Sequence, residues 1–80
     1  MPSKDRKYAK QNLHRCIGHV DDCIGYVAAV GIAFAEQGQE IVANGGDWPQ
    51  QYLEILEMCD TLVNLFDATR TSIISLEASF

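Results

Sequence analysis

Cys16, His19 and Cys23 are the residues whose types and spacing come closest to a chemical site. At 100° per residue of an α-helix, the three side chains fall within about 60° of one another. Thiolates and imidazole bind zinc well, but a structural zinc site needs four ligands, and its cysteines normally lie two to four residues apart. Here the fourth ligand would have to be Asp22, Cys59 or a residue of another copy. We therefore predict no metal and no cofactor, and keep the three residues as the candidates if a metal is bound.

The sequence contains no catalytic pattern. His14 lies two residues before Cys16, but nothing places a base within hydrogen-bond reach of a nucleophile. The Asn44-Gly45-Gly46 segment has neither the preceding strand nor the following Lys-Ser/Thr of a phosphate-binding loop. We expect a protein that is not an enzyme.

Carboxylates and two aromatic side chains surround this glycine-rich segment. Carboxylates on facing helices are typical of di-metal bundles, but those bundles also use a Glu-x-x-His pair, which this sequence lacks. Trp48 and Tyr52 either fasten the two helices together or serve as interface anchors, a frequent role of aromatics. The candidate partner-binding set is Glu36, Glu40, Trp48, Tyr52, Glu54 and Glu57.

The charges are divided between a basic start and an acidic remainder. Five of the six basic residues lie in the first fifteen positions, and from Cys16 onward Arg70 is the only base against ten acids, within a net charge of −5. We interpret the basic start as a solvated helix end or as a contact with the acids of a neighbouring copy. Nucleic acid is a poorer partner, because four or five charges give weak, salt-sensitive binding that an acidic body opposes.

Helical spacing predicts helix one over residues 7–42, after a flexible basic arm at residues 1–6. The apolar seam alternates steps of four and three, as in helical bundles. Its members are Leu13, Ile17, Val20, Ile24, Val27, Gly31, Phe34, Gly38 and Ile41.

Helix one is also apolar away from this seam. A helix that is apolar nearly all round is usually covered on more than one side, and one neighbouring helix cannot do that. We therefore predict a homodimer that forms a four-helix bundle with helix one at its centre. The predicted interface residues are Gly18, Gly25, Tyr26, Ala29, Ile32 and Ala33.

A Gly-rich turn at residues 43–47 and helix two at residues 48–78 complete the predicted all-α, antiparallel hairpin in a single domain. Asp47 is the predicted N-cap, with Pro49 in the first turn and Gln50 completing a capping box. The predicted seam of helix two is Ile55, Cys59, Leu62, Phe66, Thr69, Ile73, Leu76 and Phe80.

The most apolar stretch, residues 23–35, is shorter than the roughly 20 residues that span a bilayer, and no secretory signal is visible. We expect a cytoplasmic protein with three buried, reduced cysteines. Cys16 and Cys23 lie seven residues apart on one helix, too far for a disulfide between them, whereas Cys59 could reach one of them across the hairpin.

The sequence thus predicts a small, acidic, non-enzymatic interaction module that binds itself and another protein as a regulator, adaptor or inhibitor. The alternative is a ligand-binding or metal-binding bundle that uses the face of Cys16, His19 and Cys23.

Overall fold

A computed structural model describes residues 2–80, and side chains from residue 5 onward. Helix α1 spans Pro2–Ala43 and helix α2 spans Gln50–Ala78. The helices pack side by side in antiparallel directions and form a rod of 67 × 14 × 14 Å. The predicted all-α helical hairpin is confirmed.

The helix bounds differ from the predicted ones at three ends. Met1 lies outside the described residues, and the rest of the predicted flexible arm belongs to α1, which begins at Pro2. Helix α1 ends at Ala43, one residue later than predicted, and α2 begins at Gln50, two residues later than predicted. The first turns of α1 extend beyond α2, because His14 already lies beside Glu77 near the end of α2.

The predicted seam of α1 is confirmed at all nine positions. Ile17 and Gly38 are buried, and the other seven residues are half-buried, whereas most of their neighbours are exposed. The alternation of four and three therefore identifies the side of α1 that packs against α2.

The predicted seam of α2 is only half correct, because the helix is rotated relative to the prediction. The residues Ile55, Cys59, Phe66 and Ile73 face α1, but Leu62, Thr69, Leu76 and Phe80 are exposed. Val63, Arg70 and Glu77 take their places toward α1. The two polar residues among them contact α1 directly: Arg70 Nε lies 2.7 Å from Asp21 Oδ1, and Glu77 Oε1 lies 3.5 Å from His14 Nδ1.

The turn after α1 is a Schellman motif with Gly45 in the left-handed conformation, at φ 88°. The Gly45 N–H donates to Val42 O at 3.0 Å and the Gly46 N–H donates to Ile41 O at 2.9 Å. These two bonds satisfy carbonyls that a helix end otherwise leaves without partners. The predicted helix break at the glycine pair is confirmed, and its geometry requires a residue that tolerates positive φ.

The predicted N-cap of α2 is wrong. Pro49 occupies the cap position, with φ −63° and ψ 133° and no side-chain hydrogen bond. Its carbonyl accepts the N–H groups of Tyr52 and Leu53 at 3.1 and 3.3 Å. Asp47 therefore lies two residues before the cap. We attribute the shift to Trp48, whose ring packs on α1 and leaves the chain extended up to Pro49.

Trp48 lies directly over Gly38. A Cβ atom built on Gly38 would be 2.6 Å from the Cη2 and Cζ2 atoms of the Trp48 ring. One turn along, the rings of Phe34 and Tyr52 meet edge to face at 5.0 Å between centroids, a favourable arrangement for aromatic pairs. Tyr52 Oη also donates to Gln37 Oε1 at 3.3 Å. These contacts close the end of the hairpin at which the Gly-rich turn lies, which we call the loop end.

Two glycine-to-alanine variants test the turn. Gly45→Ala should lower the free energy of unfolding by about 1 kcal/mol, because a Cβ is disfavoured in the left-handed region. Gly25→Ala is the matched control. It lies mid-helix with nothing within 4 Å of its would-be Cβ and should raise stability by about 0.5–1 kcal/mol.

Urea unfolding of both variants at one protein concentration measures the two changes. A Gly45→Ala protein as stable as the native chain would contradict the turn geometry. A destabilised Gly25→Ala protein would show that this flank of α1 is covered.

Candidate interaction surfaces

The hairpin buries little of its apolar surface. Ile17 and Cys59 are its buried hydrophobic side chains, each 9% exposed, and no side chain within residues 5–80 is fully enclosed. Many large hydrophobic residues are exposed instead. They are Tyr8, Tyr26, Val30, Ile32, Val42, Leu53, Met58, Leu62, Leu65, Ile74, Leu76 and Phe80.

The total exposed area is correspondingly large. The chain exposes 5995 Å², whereas a compact monomer of its mass exposes about 4,800 Å². Part of the difference of about 1,200 Å² belongs to the start of α1, which extends beyond α2. The rest is surface that a globular protein of this mass would bury.

One long side of the hairpin carries a shallow, open groove of about 340 Å³. Ala28, Gly31 and Ala35 of α1 line it together with Cys59 and Asp60 of α2. Small side chains on α1 leave the groove open. We call this the groove side, and the row of α2 residues along it includes the acids Glu57, Asp60 and Asp67.

The opposite long side is without charge along most of its length. In each helix, residues flank the seam on two sides. One flank of α1 and one flank of α2 line the groove together, so the other two flanks lie together on the opposite side. On α1 they are Asn12, Cys16, His19, Cys23, Tyr26, Val30, Ala33 and Gln37. By their helical positions, those on α2 are Gln51, Met58, Leu62, Leu65, Thr69, Ser72 and Leu76. We call this the uncharged side, because none of these residues is Asp, Glu, Lys or Arg.

The six predicted dimer residues are all exposed, but they do not form a single face. Tyr26 and Ala33 lie on the uncharged side, and Ala29 lies on the outer surface of α1, directly away from α2. The remaining three, Gly18, Gly25 and Ile32, lie toward the groove side. That these residues contact a second copy stays a prediction.

The predicted partner-binding set divides in two. Trp48 and Tyr52 are half-buried in the contacts between the helices, so they serve the hairpin itself. The four glutamates at positions 36, 40, 54 and 57 are exposed around the loop end. Residues 16–69 contain no Lys or Arg, so the chain places no cation beside them along either helix.

The cysteines are placed differently from the prediction. Cys59 is buried, but Cys16 and Cys23 are exposed, and all three are free thiols. The exposed pair flanks the α1 seam instead of lying in it, so α2 does not cover it. Within the described residues, no group of three or more His, Cys, Asp or Glu side chains is arranged to hold a metal, so the structure does not bring the candidates Cys16, His19 and Cys23 together as a metal site.

The exposed apolar row of α2 is the surface feature that sequence reasoning misses. Met58, Leu62 and Leu65 follow one another at steps of four and three, and Leu76 lies three turns further along the same row. Leu65 is 59% exposed. The signal that could identify it is the absence of charge from this row. Spacing alone assigns the row to the face toward α1, because one apolar row is expected to meet one partner helix.

By length and composition alone, α1 contains an 18-residue window apolar enough to cross a membrane, within Asp5–Ala43 and with a mean hydropathy of 1.3. Core helices of soluble proteins and signal sequences meet the same criterion. The window therefore does not place α1 in a membrane, and the predicted cytoplasmic location stays a prediction.

Comparison with known proteins adds no relative. The chain matches no family model, no curated protein and no solved structure. What can be inferred about its function therefore comes from its own surfaces.

Proposed function

We propose that this chain is a non-enzymatic helical interaction module, which pairs with a second copy and binds another protein through its acidic loop end. The observation that supports this most is the set of large hydrophobic side chains that the hairpin leaves exposed, among them Tyr26, Met58 and Leu65. Contiguous apolar patches of more than a few hundred Å² generally mark interaction sites. A protein with such a surface acts through contacts.

The proposed homodimer follows from the same surface. Two hairpins that cover each other's exposed apolar rows give a four-helix bundle, a common arrangement for amphipathic helices. Of the six predicted α1 residues, Tyr26 and Ala33 would then lie at the contact.

The acidic loop end is the proposed site for the other protein. Glu40 lies in the last turn of α1, where the helix dipole disfavours negative charge, and no basic residue lies in that turn. Glu40 therefore does not stabilise its own helix, and neither it nor Glu36 has a Lys or Arg within residues 16–69. A basic surface on a regulated or inhibited protein would be attracted to them, and complementary charge both speeds encounter and excludes wrong partners.

Neutralising the loop end tests the proposed partner site. A variant with Glu36, Glu40, Glu54 and Glu57 all changed to Gln should no longer retain a host protein that the native chain retains at low salt. The matched control changes four exposed aspartates to Asn and so removes the same charge elsewhere. These aspartates are Asp5, Asp22, Asp60 and Asp67.

Quantitative mass spectrometry of the captured proteins compares the three baits. A partner kept by the control and lost by the loop-end variant supports the site. Equal loss from both variants would show that only net charge matters, and equal retention by both would show that the partner does not contact the acids. Either of these two results contradicts the proposed site.

A further inference from the structure

We propose that the second copy packs on the uncharged side and runs in the opposite direction, so that the basic end of each copy lies beside the acidic loop end of the other. This rests on the homodimer proposed above and assigns its face and its direction. The face comprises residues of both helices, whereas the sequence predicts an interface on α1 alone.

The area fits such a dimer. The surplus of about 1,200 Å² per copy, less the part at the start of α1, is comparable to the roughly 800 Å² that each partner buries in a stable interface. The rod is only 14 Å across in both short directions, so a second hairpin laid along one long side gives the two packed layers of an ordinary helical domain.

The composition of the uncharged side also fits. Interface cores are depleted in charged residues and enriched in aromatic residues and methionine. This side presents Tyr26, Met58 and Leu65 and carries no charged residue along the middle of the rod. Each copy has a net charge of −5, so two copies repel unless their acids stay apart. Packing through the uncharged side leaves Asp60 and Asp67 on the outer surfaces of the pair.

The outer surface of α1 alone is a poorer interface. Its outermost row carries Asp22 and Glu36 on either side of Ala29, and α2 contributes nothing to it. A contact there would bring like charges together and would leave Met58 and Leu65 uncovered.

The charge distribution along the rod sets the direction. Lys7, Lys10 and Arg15 are exposed at the open end, opposite the loop end. Two copies side by side in the same direction would place bases against bases and acids against acids. Copies in opposite directions place each basic end against the loop end of the other copy, where Glu40 lies beside Gln37 of the uncharged side, a complementary pairing at both ends. Glu36, on the outer surface of α1, and Glu57, on the groove side, stay accessible to the other protein.

A lipid surface is a weaker candidate occupant. Amphipathic helices that lie on membranes carry Lys and Arg on their polar side, whereas the groove side of this hairpin carries acids. Binding of the native and Leu65→Arg chains to phosphatidylcholine vesicles tests this occupant directly.

Three arginine substitutions identify the covered face. Leu65→Arg places a charge on the uncharged side and should raise the dimer dissociation constant by about a hundredfold or more, because an unpaired charge would be buried. Asn64→Arg is the matched control at the neighbouring position of α2, which faces the groove side, and Ala29→Arg tests the outer surface of α1. Sedimentation equilibrium should give dimers for the native, Asn64→Arg and Ala29→Arg chains and a monomer for Leu65→Arg.

Cross-linking tests the direction on the native chain. A carbodiimide joins a lysine amine to a carboxylate that it contacts, and Lys7 and Glu40 of one chain are about 50 Å apart along α1. A link between Lys7 or Lys10 and a loop-end glutamate must therefore join two copies. In a mixture of ¹⁴N-labelled and ¹⁵N-labelled protein, such links should appear as mixed-isotope pairs.

The contrary outcomes bear on different parts of the proposal. A dimer broken by Ala29→Arg and not by Leu65→Arg would overturn the face while the proposed homodimer stands. A Leu65-dependent dimer without links between basic and loop ends would overturn the direction. A native chain that is monomeric at micromolar concentration would overturn both the inference and the homodimer. Binding of that monomer to phosphatidylcholine vesicles, lost in Leu65→Arg, would assign the uncharged side to lipid instead.

Discussion

Gly38→Ala is expected to lower the free energy of unfolding by about 2 kcal/mol, as overpacking of a filled contact does. The new Cβ would lie 2.6 Å from two atoms of the Trp48 ring and 2.8 Å from a third. A rigid ring cannot yield as the end of a flexible side chain can. The indole N–H is buried without a hydrogen-bond partner in residues 5–80, so packing holds the ring. Urea unfolding at a fixed protein concentration measures the loss.

The same substitution should change sign when the ring is absent. In a Trp48→Ala background, Gly38→Ala meets no ring and should raise stability by up to about 1 kcal/mol, the helix-propensity difference between the two residues. The double-mutant cycle isolates the contact from other effects of each change. If Gly38→Ala stabilises the chain equally with and without Trp48, the ring does not pack on Gly38 and the loop end is held in another way.

The exposed thiols should be protected in the native protein. Cys16 and Cys23 lie on the uncharged side and are exposed in a single hairpin, whereas Cys59 is buried between the helices. If a second copy covers that side, all three thiols should react slowly with a reagent such as DTNB. In the Leu65→Arg variant, Cys16 and Cys23 should react about a hundredfold faster while Cys59 stays slow, since only opening of the hairpin exposes it.

The Asn64→Arg chain serves as the control, because its added charge lies on the groove side and should leave all three rates unchanged. Mass spectrometry of partly labelled protein assigns each rate to its cysteine. Fast labelling of Cys23 in a native chain that is dimeric would show that the dimer uses another face.

The signals for the helices and for the turn between them are local, so the sequence alone predicts them. The seam of α1 repeats over nine positions, and the positive φ of Gly45 favours glycine. The rotation of α2 depends on the other helix. Arg70 contacts Asp21 and Glu77 contacts His14, so the most apolar row of α2 is not the row that meets α1.

The start of α2 and the candidate surfaces also depend on contacts between distant parts of the chain, which sequence patterns do not reveal. Asp47 and Gln50 have the spacing of a capping box, but the packing of Trp48 on Gly38 decides where the helix begins, and that contact joins two different parts of the chain. For the same reason, the exposed glutamates of the loop end can be named from the sequence, whereas the uncharged side becomes visible only when both helices have a fixed rotation.

One hairpin cannot cover its own apolar surface, and we expect a second copy to stabilise it. The most direct test is the thermal unfolding midpoint of the native chain, measured by circular dichroism over a hundredfold range of micromolar protein concentrations. Coupled folding and dimerisation should raise the midpoint by about 4 °C for each tenfold increase in concentration. A midpoint that stays constant over the whole range would show that the hairpin is stable alone, and would contradict this expectation.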